Sequence, residues 1–357
     1  MNTLIRYGAT ESVFAEAADH PGLHLARVTS QYKGVYKIAA EQGESLAEVS
    51  GKLRHESDDL ANYPAVGDFV MICQGEADSG NAVIHRILKR KSFFARAAVG
   101  HAGQTQIVAA NIDIAFICMS LNNDYNFNRL ERYLAIAWKS GALPSIILTK
   151  SDLCERLPDV LEEIAAVAPG VAVCTTSIND QASHDTVRSY LKPGITASFI
   201  GSSGVGKSTL INCLAGEEII RTSSIREDGR GRHTTTRREM LLLPQGGIVI
   251  DTPGMRELGI QSADIAKSFA DVESLTAQCR FHDCAHGAEP GCAVRHALET
   301  GELNQRRWNN YVKLTREAEY SALSSRQLEV KKLNGMFESI GGMKKARNSL
   351  RQKDKRR

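Results

Sequence analysis

Between about residues 23 and 95, apolar and polar positions alternate in short runs: LHLARVTS, GVYKIAA, SLAEVSGKL, VGDFVMI and NAVIHRILKR, each closed by glycine or polar turns. A period of two over such lengths predicts half-buried strands, and their spacing predicts a small β-barrel or sandwich. Helical periodicity is weak throughout this segment. From about 107 the texture changes, and the apolar strands IDIAFICMSL (112–121), SIILTK (145–150), VAVCTTS (171–177) and ITASFIG (195–201) alternate with helical segments. Those segments are NRLERYLAIAWKSG, DLCERLPDVLEEIAAV, HDTVRSYL and KSTLINCLAG. Strand–helix alternation predicts a parallel sheet with helices on both faces. REMLLLP and GGIVIDTPG then read as two strands joined by a glycine turn. After 260 the chain turns helical, crosses a cysteine cluster and resumes in the mixed-charge helix LETGELNQRRWNNYVKLTREAEYSA.

Composition fits this picture without narrowing it. The 357 residues (39.0 kDa) are 42% apolar and 24% charged, as in soluble globular chains of two or three domains. There is no run of about 18 apolar residues and no basic-then-apolar pattern in MNTLIRYGATESVF, so a cytoplasmic protein without a membrane span is expected. Charge does narrow it. Residues 343–357 hold eight Lys or Arg against one Asp, a local +7, which leaves about −4 for the rest of a chain whose net charge is +3. A basic tail of this kind suits nucleic acid or an acidic surface. In the barrel segment, Arg86, Lys89, Arg90, Lys91 and Arg96 with Phe93 and Phe94 suit a nucleic-acid surface, or equally a solvated edge with two core aromatics.

The strongest chemical signal is GSSGVGKST, residues 201–209, which matches G-x-x-x-x-G-K-S with an apolar strand before it and a helix after it. Gly201, Gly204 and Gly206 let the N–H groups of Ser202, Ser203, Val205 and their neighbours converge on phosphate oxygens that a Cβ would obstruct. Lys207 is expected on the β- and γ-phosphates and Ser208 on Mg²⁺, with Thr209 in the first turn of a helix whose positive end faces the anion. GGIVIDTPG supplies Asp251, a strand-ending carboxylate for the Mg²⁺ shell, and Gly254, whose N–H can face the γ-phosphate. Between them EDGRGRHTTTRRE offers Thr234, Thr235 or Thr236 as a further Mg²⁺ ligand in a segment that orders around a triphosphate.

The base is read elsewhere. In TKSD, residues 149–152, the Asp152 carboxylate can accept both guanine N1–H and N2–H, a donor pair adenine lacks, while the Lys150 stem packs on the base plane. Thr149 and Ser151 complete that motif, and Ser177 with the Ile178 N–H, at the end of the next strand, can meet guanine O6. In the position just after DTPG where many GTPases carry a water-orienting Gln stands Met255, which cannot hydrogen-bond water. His233 is the candidate to replace it, with Lys207, Thr235 and Thr236 completing the expected catalytic set.

Of eight cysteines, Cys73, Cys118, Cys154, Cys174 and Cys213 are scattered and read as small buried hydrophobes. Cys279, Cys284 and Cys292 cluster with histidines, three thiolates and one imidazole making a closed tetrahedral set suited to structural Zn²⁺. The fourth ligand can be His286 or His282, with His296 just beyond.

The order TKSD, TTS, GSSGVGKS, GRHTTT, DTPG, preceded by a barrel and followed by the Cys/His cluster, resembles the bacterial small-ribosomal-subunit-dependent GTPase A (RsgA) family over nearly the whole chain. VGDFV, AANIDIAF, NRLERYL, GRHTTTRRE and DTPGMREL carry the likeness. Thr149 departs from the Asn of many GTPases and Ile178 from the usual Ala. The resemblance implies a multidomain chain: an OB-like barrel over 1–94, a circularly permuted P-loop GTPase domain over 95–260, a helical zinc-binding domain over 261–340 and a basic tail over 341–357. It selects His286 as the fourth zinc ligand and points to His233. It also implies a monomer that binds GTP and GDP, contacts the small (30S) subunit and its 16S rRNA, and hydrolyses GTP faster there in late maturation. An assembly checkpoint in which GTP is a timer and turnover is secondary is the other reading.

Overall fold

The computed structural model describes residues 3–32, 34–57, 59–75, 80–98, 104–122, 124–220, 238–251 and 264–321. His233, Thr234, Thr235, Thr236, Gly254, Met255 and the basic tail lie outside the described residues.

Two short helices, α1 (Thr3–Arg6) and α2 (Glu11–Ala18), precede five barrel strands: β1 (His24–Gln31), β2 (Val35–Ala40), β3 (Gly43–Val49), β4 (Phe69–Cys73) and β5 (Ala82–Ile87). Their order is β1-β2-β3-β5-β4, and β4 pairs back to β1, which closes the barrel and leaves no open edge. The alternating apolar positions of the sequence, among them Val28, Ile38, Val70, Ile72 and Ile84, fill its interior. The third run was expected to stay extended to 53, but the strand ends at Val49 and α3 (Gly51–Glu56) begins. Ser50 causes the change, its Oγ accepting the Leu53 N–H at 3.1 Å as a helix cap.

A hairpin of β6 (Phe93–Ala97) and β7 (Thr105–Ala110) leads into the second layer system. There β8 (Ile114–Ser120), α4 (Phe127–Ser140), β9 (Leu143–Thr149), α5 (Leu157–Val167), β10 (Ala172–Thr176), α6 (Gln181–Arg188), β11 (Thr196–Ile200), α7 (Lys207–Ala215), β12 (Arg238–Leu242) and β13 (Ile248–Asp251) follow in turn. The order across the sheet is β10-β9-β8-β11-β13-β12, parallel except for β12. β8 shows why both faces are covered: Ala115, Ile117 and Met119 join the core under α4 and α5, while Ile114, Phe116 and Cys118 join the core under α6 and α7. The expected helix at 152–167 is interrupted, with a single turn at Ser151–Leu153 before α5.

β12 also pairs with β1 at Ser30↔Glu239 and Gln31↔Arg238, so barrel and parallel sheet form one eleven-stranded hydrogen-bonded surface. Arg27 of β1 is sealed in the junction, 1% exposed. It donates to Gly67 O (3.1 Å), Asn111 O (3.2 Å), Thr196 Oγ1 (3.1 Å) and Tyr7 O, and its guanidinium lies 4.7 Å from the Phe69 ring. Burial lowers its pKa to about 10, against the pull of Asp113 and Asp68.

Part of the basic string of the barrel is committed within the fold. Arg90 grips the fully buried Asp68 through two bonds of 2.8 and 2.7 Å, Lys91 reaches Asp113 at 2.5 Å and Phe94 is in the core. Arg86, Lys89 and Phe93 remain exposed. Among the scattered cysteines, Cys118 and Cys174 are buried, whereas Cys73, Cys154 and Cys213 are only half-buried. No helix among the described residues is long and apolar enough to cross a membrane.

Four helices close the described chain: α8 (Ile265–Ser268), α9 (Ala270–Ala277), α10 (Ala293–Thr300) and α11 (Gln305–Ser321). They share a small core of Phe269, Val272, Val294, Ala297, Leu303 and Leu314. This unit sits on α4. Arg307 reaches the 1%-exposed Glu131 at 2.8 Å and Asp271 at 2.6 Å, and Arg132 pairs with Glu317 through two bonds of 2.9 and 2.7 Å. Burial raises the Asp271 carboxyl, but the bonds and charge of Arg307 outweigh it and hold it below the usual carboxylate range.

Candidate nucleotide and metal sites

The carboxyl ends of the parallel strands carry the chemistry, where open α/β sheets bind ligands at the point at which strand order reverses. That point falls between β8 and β11, because α4 and α5 lead outward through β9 and β10 and α6 returns to β11. Pairing in register places Ser120, Thr149 and Thr176 side by side, and Asp251 ends β13 next to β11. TKSD, TTS, the glycine loop and Asp251 therefore share one edge although they span over a hundred residues of chain.

Gly201 leaves β11 with φ of 155°, and a Cβ there would stand 2.5 Å from Cys118 O. Only glycine fits so close a backbone approach. Cys118 itself is fully buried, and burial raises its thiol to about 12, which removes it as a nucleophile. Gly204 and Gly206 turn the loop at φ of 76° and 99°, Val205 anchors it in the core at 1% exposure, and Gly206 opens α7. Ser208 and Thr209 follow in the first turn, half-buried. Lys207 folds back along the loop, its Nζ 2.9 Å from Gly201 O and 2.5 Å from Ser202 O.

The TKSD segment, expected to read the base, is fastened to this loop. Thr149 Oγ1 donates to Val205 O at 2.6 Å, and Lys150, in the left-handed conformation at φ of 57°, donates from Nζ to Gly204 O at 3.1 Å. Thr149, where many GTPases have Asn, thus supplies a direct tether between TKSD and the loop. Ser151 and Asp152 form the single turn that follows, with Asp152 exposed at its edge. At the end of β10 the 6%-exposed Ser177 accepts the Asn179 N–H at 3.4 Å, and Ile178 is 66% exposed. One member of this neighbourhood escaped the sequence reading: Asp124 Oδ2 accepts the Ser202 hydroxyl at 3.0 Å. Its only sequence signal is an acidic residue in the polar turn LNNDYN after an apolar strand.

Thr149→Val tests the tether. It leaves the Val205 carbonyl without its donor, a cost of about 1–3 kcal/mol, so GDP and GTP should both bind about tenfold more weakly in a fluorescent-nucleotide titration. The preference for guanine over adenine nucleotides should persist. Its collapse would assign Thr149 to base contact instead.

The second cluster needs no new backbone. Sγ of Cys279, Cys284 and Cys292 and a ring nitrogen of His286 lie within 4.8 Å of one another. His286 Nδ1 is 3.6 Å from both Cys279 Sγ and Cys292 Sγ, which are 4.0 Å apart. A tetrahedral Zn–thiolate site spaces sulfurs by roughly 3.8 Å, so these four groups could hold such an ion; His282 and His296 stand outside the set. His286 reaches it through a left-handed backbone at φ of 57°, held by the Gly287 N–H to Glu289 Oε2 bond of 2.8 Å. Cys292 also caps α10, its Sγ accepting the Arg295 N–H at 3.4 Å, and the Trp308 ring stands edge-on 5.3 Å from His286.

The family model for the RsgA GTPase matches residues 87–261. "Small ribosomal subunit biogenesis GTPase RsgA 2" of Lactiplantibacillus plantarum is 48% identical over 345 residues, covering 96% of this chain and 97% of the relative. "Small ribosomal subunit biogenesis GTPase RsgA 1" of Listeria innocua is 46% identical over 325 residues, 89% of this chain and 90% of its own. The crystal structure of YjeQ from Thermotoga maritima superposes with a TM-score of 0.60 at 26% identity, covering 83% of this chain and 98% of that one. YloQ, described as a circularly permuted GTPase, shares the fold with a TM-score of 0.57 at 24% identity, over 84% and 96% of the two chains.

Proposed function

Because this chain belongs to the RsgA GTPase family, we propose that it hydrolyses GTP and acts in the maturation of the small ribosomal subunit. The observation that carries the reading is the joining of a guanine-reading segment to a phosphate loop by the Thr149–Val205 bond, at one end of the parallel sheet. The relatives' names, which specify small-subunit biogenesis, support the partner.

In this reading the N–H groups of residues 201–208 cradle the phosphates, Lys207 moves from its carbonyl partners to the β- and γ-oxygens, and Asp152 with Lys150 selects guanine. Ser177 lies toward O6. Ser208 would ligate the Mg²⁺ that accompanies GTP, with one of Thr234, Thr235 or Thr236 as a further ligand, Asp251 in its shell and the Gly254 N–H facing the γ-phosphate. Water attacks the γ-phosphorus in line, the bond to the β-phosphate oxygen breaks, and His233 orients the water in place of Gln. Zn²⁺, one per chain, is the ion proposed for Cys279, Cys284, His286 and Cys292, because a closed set of three thiolates and an imidazole suits a structural role. The organisation proposed is barrel 1–94, GTPase domain 95–260, zinc-binding unit 261–340 and tail 341–357, working as a cytoplasmic monomer with 16S rRNA as the contacted surface.

GTP turnover should rise strongly on adding purified small subunits and fall steeply as salt is raised, since phosphate contacts release counterions. His233→Ala should keep GTP affinity and lose most of that stimulated turnover. Unchanged turnover at saturating subunits removes His233 from the mechanism; no stimulation in the unaltered chain favours the checkpoint reading.

A further inference from the structure

Ser202 sits between two partners. Its carbonyl accepts Lys207 Nζ at 2.5 Å, and its hydroxyl donates to Asp124 Oδ2 at 3.0 Å. Asp124 belongs to the turn that starts α4: two residues on, Asn126 caps the helix through the Arg129 N–H at 3.0 Å, and Arg129 Nη1 returns to Asp124 at 3.1 Å. The amino end of α4 is thus tied to the phosphate loop itself.

The opposite face of α4 carries the metal-binding unit. Asn128 accepts Arg306 at 3.0 Å, the Phe127 ring lies 4.0 Å from the Arg306 guanidinium, Glu131 holds Arg307, and Arg132 holds Glu317. Further along, Ala135 O accepts the Asp264 N–H at 2.8 Å and Lys267 Nζ lies 3.8 Å from the Trp138 ring. Positions 127, 128, 131, 132, 135 and 138 recur at helical spacing and make one stripe. Separating the surfaces would leave the 1%-exposed Glu131 carboxylate without its cation, so helix and unit move together.

We propose that Asp124 is a positioning residue that passes occupancy of the phosphate loop into α4 and so into the metal-binding unit. The inference rests on the nucleotide reading above. Phosphates compete with the carbonyls of Gly201 and Ser202 for the Lys207 ammonium, which gives the residue 201–202 peptide two arrangements. Asp124 is bonded to that residue's side chain and follows it. This route leaves the barrel side untouched and does not pass through residues 252–263. Coupling along this route can be read from the chain's own reporters: its two tryptophans, Trp138 and Trp308, both lie at the junction of α4 and the unit or within the unit.

The experiment is intrinsic fluorescence of the full zinc-loaded chain at saturating GDP, with saturation established separately by displacement of a fluorescent GDP. The unaltered protein should show a nucleotide-dependent change in emission. Asp124→Ala should bind GDP yet lose most of that change, and Asp124→Asn, which keeps an acceptor for Ser202 Oγ, should restore it. Ser202→Ala removes the donor instead and should reproduce the loss, which covers the case where Asp124→Ala fails to fold. A full emission change in both alanine variants, or none in the unaltered protein with GDP bound, overturns the proposal. Absence of GDP binding to the unaltered protein would instead overturn the nucleotide reading.

Discussion

Lys207→Ala should weaken GDP and GTP binding by about a hundredfold or more and remove turnover, while the melting temperature stays near that of the unaltered chain. The ammonium now rests on two neutral carbonyls, Gly201 O and Ser202 O, at 2.9 and 2.5 Å. Phosphate oxygens are stronger partners for it, because an anion adds the attraction of opposite charges to a bond that a neutral carbonyl receives from the ammonium alone. The fold does not depend on the side chain. α7 is held by Leu210, Ile211 and Leu214 in the core and ends at Gly216 in the left-handed conformation. Lys207→Arg should rescue little, because a planar fork on a longer stem cannot occupy the pocket of a compact ammonium. A fluorescent-GDP titration alongside thermal melting makes the check, and affinity within about threefold of the unaltered protein would take Lys207 out of phosphate binding.

Loss of the metal should be the more damaging change to structure. Chain purified under reducing conditions without chelator should carry one zinc by elemental analysis, and Cys292→Ala or strong chelation should unfold residues 264–321 selectively. The core of that unit is small, and Cys279, Cys284 and Cys292 are part of it. Metal binding in such units supplies about 10–16 kcal/mol of apparent folding free energy, far more than a core of this size provides. Without the ion, three sulfurs and an imidazole are left within 4.8 Å of each other with no shared partner. Limited proteolysis should then cut between 264 and 321 while the barrel and parallel sheet resist, and the Trp308 emission should shift because its ring stands beside His286. Zinc-free protein that keeps a protease-resistant C-terminal unit would remove the structural role.

Much of the architecture was legible in advance, and the exceptions are instructive. β8, β9, β10 and β11 fall within two residues of their expected positions because buried strands read as uniform apolar runs, as Ile114–Ser120 does with every residue buried. α3 escaped because six residues are too few to show a 3.6 period and its cap, Ser50, lies inside an apparently alternating run. The barrel's basic string divides in a way the sequence did not show. Periodicity does not say which arginine meets a carboxylate, and Arg90 is committed to Asp68 while Arg86 is exposed.

The sequence by itself determined most of the element types, the order of the motifs and, through that order, a permuted GTPase fold followed by a cluster of potential metal ligands. These are local matters: a glycine loop, a strand-ending carboxylate and a Cys/His spacing are each written within about a dozen residues. Only the tertiary structure decided that Thr149 fastens the TKSD turn to the loop, that Asp124 holds Ser202, and that Glu131 of α4 seats the C-terminal unit through Arg307. Those partners lie 56, 78 and 176 residues apart. Their meeting depends on strand order, register and helix face, which no single stretch of sequence records.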